Sequence, residues 1–173
     1  TKEPFEVWVN GMEAPRGLNA LAINLSYDMY AKDRGWLRRK LEELSGCLSH
    51  GESFDLPMPP DGQIKRVPSM VAAMATLIRH RCDQLGAFDH VVDTPVLNAL
   101  MTTREPQTGP GGTMSWTVDV RNENTNDVFT LVMRELEYRT AAGTERRPYA
   151  VWLAGHYPRA LDGLCLALSL DMR

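Results

Sequence analysis

Two rhythms of apolar and polar positions divide the chain. Phe5 to Asn10 ("FEVWVN") alternates and is rich in β-branched and aromatic residues, which predicts a strand. "NGMEAPRG" supplies turn chemistry, with Pro15 placed to open a helix. Leu18, Leu21, Ala22, Leu25 and Met29 then recur at helical spacing. A second helix is predicted over Arg34–Ser45, with Leu37, Leu41 and Leu44 inward, Trp36 at its core end, and the Arg and Lys residues facing water. "GESFDLPMPPDGQIKRVP" reads as a connector holding one short extended piece at Ser53 to Leu56. A third helix starts at Pro68, buries Val71, Met74, Ile78, Cys82 and Leu85, and stops at Gly86. "DTPVLNALM" predicts a short helix capped by Thr94 with Pro95 in its first turn.

Past that point the period becomes two. Met114 to Val120 alternates, "NENTND" is a turn, and Val128 to Tyr138 returns, which together predict a β-hairpin. A polar loop, "RTAAGTERR", leads to a third strand at Pro148 to Ala154 and then a helix. The fold class expected is α+β: antiparallel sheet with helices packed on one face.

The last strand and helix repeat the first. Pro15 to Met29 ("PRGLNALAINLSYDM") and Pro158 to Met172 ("PRALDGLCLALSLDM") match at eight of fifteen positions without gaps. Upstream, "EPFEVWVNG" aligns with "RPYAVWLAG" once a single residue is gapped. The chain therefore carries a duplicated strand-then-helix unit. The first repeat is expected over residues 1–91 (strand plus three helices) and the second over 92–173 (short helix, hairpin, strand, helix). The first copy lacks a hairpin and the second lacks the later helices. Two arrangements are open at this point: the two pieces make one compact domain together, or a longer parent chain supplies the missing parts.

Composition narrows the function classes. A hydrophobic share of 43%, a charged share of 24% and a net charge of -3 suit a globular protein and argue against a general nucleic-acid or membrane surface. No apolar run approaches the ~18 residues that span a bilayer. Three cysteines, Cys47, Cys82 and Cys165, show no Cys-x2-Cys spacing, which favours a reducing compartment and a cytoplasmic location. His50, His80, His90 and His156 have no metal-ligand spacing, and the only suggestive pair is Cys47 with His50. "TGPGGT" lacks the lysine and following helix of a phosphate loop, so it reads as the turn that launches the hairpin. No nucleophile or acid–base pair stands out, and no metal site or catalytic residue is expected.

The repeated polar positions carry more. Arg16 and Arg159 open their helices, and Asp28 and Asp171 come twelve residues later, ~18 Å along a helix. Antiparallel packing of the two helices would pair Arg16 with Asp171 and Arg159 with Asp28 across the repeats. Alternatively, both arginines stand exposed and take an anion such as a nucleotide phosphate. Trp8 and Trp152 are equivalent strand positions, suited to packing or, if exposed, to stacking a base.

The segments "EPFEVWVNG", "APRGL", "LSYDM", "MPPDG", "TGPGGTMSWTVDV", "RRPYAVWLAGHYPRALDGL" and "LSLDMR" resemble the C-terminal region of adenosylcobalamin-dependent (class II) ribonucleotide reductases. More narrowly, they resemble the duplicated TSCPD-type domain carried behind the catalytic barrel. The resemblance spans essentially the whole chain. It implies an accessory part in deoxyribonucleotide synthesis through docking, assembly or positioning of the reductase's tail. The partner implied is the catalytic barrel or a second copy of the chain, and adenosylcobalamin belongs to the parent enzyme only. The name-giving Thr-Ser-Cys-Pro-Asp string is missing, with "PMPPDG" nearest to it, so a metal site suspected in other such domains does not transfer. The other expectation open at this point is a stand-alone nucleotide- or protein-binding module derived from that domain.

Overall fold

A computed structural model describes residues 3–11, 13–48, 53–92 and 104–173. Its elements run α1 (Leu18–Ala31), α2 (Arg34–Ser45), β1 (Phe54–Met58), β2 (Gln63–Val67), α3 (Met70–Gln84), β3 (Met114–Asn122), β4 (Asp127–Thr140), β5 (Gly143–His156) and α4 (Ala160–Met172). This is an α+β fold with two antiparallel sheets, β1–β2 and β3–β4–β5. His50 and the helix expected over residues 93–101 lie outside the described residues.

Local chemistry sets the helix boundaries. Asp33 caps α2 by accepting the Trp36 amide at 2.9 Å. α3 starts at Met70, not at Pro68, and Ser69 caps it, accepting the Ala72 amide at 3.1 Å and donating to the Cys47 carbonyl at 2.7 Å. The connector holds more structure than its prolines and glycines suggest: β1 and β2 form a small hairpin, with Phe54 opposite Val67 and Met58 opposite Gln63. "RTAAGTERR" is likewise not a loop. β4 and β5 run on to a two-residue turn at Ala141 and Ala142, and Thr140 faces Gly143. Alternating polar residues there satisfy a ladder exposed on both faces, so hydrophobic alternation gave no sign of it.

Leu21, Leu25, Leu37, Leu41 and Leu44 meet in one core with Val71, Ala75, Cys82 and Ala167. Each fully buried leucine there is worth about 1.5–3 kcal/mol of transfer free energy. The core draws on both halves of the sequence, and α1 and α4 lie against each other at its centre.

These two helices run in the same direction. A Cβ on Gly17 would come within 2.8 Å of the Leu161 side chain and 3.4 Å of its backbone nitrogen, so the helix starts lie together. Toward the other ends, Asn24 donates to Asp171 at 3.0 Å. The antiparallel packing expected from the sequence is therefore corrected: the axis relating the repeats runs along the helices, not across them.

The duplication is legible in the hydrogen bonds. In the second repeat, Ser169 Oγ on α4 accepts the Val151 amide at 2.9 Å and donates to the Cys165 carbonyl at 2.7 Å. In the first, Ser26 Oγ on α1 accepts the Val7 amide at 3.0 Å and donates to the Ala22 carbonyl at 2.9 Å. All three residues are equivalent across the repeats. The strand expected at Phe5–Asn10 is nonetheless not one, because no ladder partner lies beside it among the described residues. It keeps a strand's alternation, with Val7 and Val9 packed on the core and Trp8 and Asn10 outward.

Candidate functional site

At the shared C-terminal end of α1 and α4 sits Lys40, from α2. Its ammonium donates to Asp28 Oδ2 at 2.7 Å and to both oxygens of Asp171, at 2.7 and 2.8 Å. The Lys40 side chain is wholly buried. The Trp36 indole donates to Asp171 at 3.2 Å. Two equivalent aspartates, one from each repeat, thus converge on a single cation. Parallel helices bring two negative dipole ends to the same place, and a buried ammonium offsets them. Burial pushes the Asp28 carboxyl above its ordinary value, with Lys40 pulling the other way.

The reciprocal Arg–Asp pairs are accordingly replaced. Asp28 and Asp171 are held by Lys40, while Arg16 makes a bidentate pair with Asp127 at 2.7 and 3.1 Å. That pair also joins the repeats, tying the start of α1 to the start of β4. The Asp127 carboxyl is held below its ordinary value, chiefly by Arg16 and then by the hydroxyl of Thr125. Arg159 lies over the ring of Tyr157, 4.8 Å from its centroid. No carboxylate reaches Arg159 among the described residues. Lys40 was expected to face water with the other basic residues of α2. Its register says otherwise, since Leu37, Lys40, Leu41 and Leu44 fall at i, i+3, i+4, i+7, and Lys40 occupies a core position of that stripe.

Arg16 and Arg159 share a cavity of about 280 Å³ where α1, α3 and α4 begin. Pro15, Pro158, Ser69 and Met70 line it, as do the thiol-bearing Cys47 and the carboxylate of Asp162. Asp162 accepts the Tyr157 hydroxyl at 2.7 Å, and burial with this bond pushes Tyr157 up to about 12. Burial also pushes Cys47, Cys82 and Cys165 up to about 11, which keeps them as weakly nucleophilic thiols at neutral pH. Among the described residues no group of three or more His, Cys, Asp or Glu side chains is arranged to hold a metal ion. No helix there is long and apolar enough to cross a membrane.

Trp8 and Trp152 have different surroundings. Trp152 is half-buried, with the Arg134 guanidinium 4.7 Å above its ring, whereas Trp8 is 76% exposed. The contrast extends to neighbouring equivalents. Phe5 is 69% exposed where Tyr149 is 2%, and Tyr27 is 67% exposed where Leu170 is 1%. The grooves beside them correspond too. One, of about 210 Å³, runs along Val7, Trp8, Ile23, Ser26 and Tyr27. Its counterpart, of about 350 Å³, runs along Val151, Trp152, Leu166 and Ser169 and includes Arg134 from β4.

Fold and contacts together define an α+β protein built on an internal repeat, pinned at one end by a shared lysine and at the other by a bidentate arginine pair. No protein-family model matches the chain, and neither a curated protein nor a solved structure matches it significantly.

Proposed function

We propose that the chain is a non-catalytic assembly module of an adenosylcobalamin-dependent ribonucleotide reductase system, serving deoxyribonucleotide synthesis by docking to the catalytic part. The sequence resemblance supplies the system, and exposed apolar surface supports the docking role. That surface lies in two places: the aromatic face of Phe5, Trp8, Tyr27 and Tyr30, and the β3 row of Met114, Trp116, Val118 and Val120. Contiguous apolar surface of this kind marks a protein interaction site more often than a solvated face. In a reductase whose equivalent region has been deleted, adding the chain in trans restores turnover. Unchanged turnover, with no complex by sedimentation, would count against the proposal.

A second reading is favoured by one observation: Arg16 and Arg159 line the same cavity at converging helix starts. There the chain would bind an anion such as a nucleotide phosphate, with Arg159 as the contributing cation because Arg16 is held by Asp127. Calorimetric titration with pyrophosphate, compared between the wild type and Arg159→Gln, tests it. Equal heats from both proteins would remove this reading.

A further inference from the structure

The two repeats are equivalent, yet among the described residues only one has its strand covered. The cover on the second defines the shape that fits the first. Ser169 takes the Val151 amide on one edge of β5, so Ala150 and Trp152, on either side of Val151, turn their amides and carbonyls to the opposite edge. There β4 pairs with them, Arg134 opposite Ala150 and Val132 opposite Trp152. Ser26 occupies the same edge at Val7. Glu6 and Trp8 must then present their backbone groups outward, and no backbone hydrogen bond reaches them among the described residues.

Space and charge on the uncovered side agree. Gly155 has φ +128, and a Cβ there would stand 2.5 Å from the Val128 carbonyl of β4. Its equivalent, Gly11, has the similar φ of +146 and faces open space. The backbone turn that admits β4 is present in both repeats, while among the described residues the admitted strand is present in one. Arg16 of the first repeat grips Asp127, which opens β4 of the second. By the repeat's symmetry, Arg159 awaits an acidic residue opening a strand laid on the first.

We propose that residues 5–11 are a docking strand for a β-hairpin supplied by polypeptide outside these 173 residues. The inner strand of that hairpin runs antiparallel to residues 5–11 and begins with an acidic residue that pairs with Arg159. Main-chain bonds from Glu6 and Trp8 give affinity, and the Phe5, Trp8 and Tyr27 side chains gain cover, as in strand addition to an open edge. The surface exists whatever enzyme the chain serves. A failed docking test therefore leaves the reductase reading standing, and a failed reductase assay leaves the docking strand standing.

The chain's own hairpin is the probe. A synthetic peptide spanning Thr113 to Ala141 is titrated into the isotope-labelled full chain, monitored by amide shifts and hydrogen exchange. The expected result is new protection of the Glu6 and Trp8 amides, with Val7, already bonded to Ser26, unchanged. Asp127→Asn in the peptide, or Arg159→Gln in the protein, weakens binding about fivefold. Trp8→Pro removes one of the ladder donors on an exposed residue, so it leaves the melting temperature unchanged and abolishes the protection. The proposal is overturned if Glu6 and Trp8 stay unprotected at millimolar peptide, or if Arg159→Gln and Trp8→Pro bind like wild type. It is also overturned if the same amides become protected without peptide as the chain dimerises, which would assign the strand to a second copy.

Discussion

Single residues hold this molecule at its two ends, and they do so by different means. Lys40 is buried between two carboxylates, so its worth lies in what its removal leaves behind. Lys40→Met would strand Asp28 and Asp171 and is expected to cost about 3–5 kcal/mol in urea unfolding. The triple variant Lys40→Met, Asp28→Asn, Asp171→Asn is expected to recover part of that loss, since no unpaired charge remains. At the other end, Asp127 titrates below its ordinary 3.8 because Arg16 and Thr125 bond its ionised form. A carboxyl depressed in the folded state stabilises the fold above its unfolded pKa, and the contribution disappears as pH falls through the folded value. Acid unfolding monitored by circular dichroism should therefore show a step below pH 3.8 in the wild type that is smaller in Arg16→Gln, where Thr125 alone still bonds the carboxylate.

At the scale of elements, equivalence in sequence does not mean equivalence in environment. Gly11→Ala and Gly155→Ala place the same methyl at similar positive φ. At Gly11 the cost is backbone strain alone, about 1–2 kcal/mol. At Gly155 the methyl also strikes the Val128 carbonyl and the Phe129 backbone, so thermal denaturation should show a clearly larger loss. Much of the element pattern is legible in the sequence: α2 lies over Arg34–Ser45 as its leucines require, and the hairpin turns at "NENTND". The first strand fails because a strand needs a neighbour, and alternation at Phe5–Asn10 reports only which side is apolar. The polar continuation of β4 into β5 escapes for the converse reason, since its pairing is good and its burial poor. In the site, Arg16, Arg159, Asp28 and Asp171 are visible as repeated residues. Their partners are not, because Asp127 and Lys40 are not repeated and only the parallel helix packing brings them in.

For the molecule as a whole, one core drawn from both repeats implies one cooperative transition. Cys82 and Cys165, from different halves, are both buried and both pushed up to about 11. At pH 8 their reaction with a thiol reagent should be slow and equally rate-limited by opening, and fast for both in denaturant. Unequal rates would show that the halves open separately. The sign at alkaline pH comes from the same burial. These thiols titrate higher folded than unfolded, so the stability they allow is fully present below about pH 9 and declines as pH rises toward 11.

The lysine between the helix ends has one more consequence, which belongs to symmetry. A point equidistant from two equivalent aspartates lies close to the axis that relates the repeats. A dimer of identical subunits would bring two copies of that lysine to the same spot, where only one fits. A chain that contains both repeats is free of that rule, because its two copies need not be identical in sequence. Joining the copies in one polypeptide thus does more than fix their distance: it lets a single side chain stand where two identical partners would bring two.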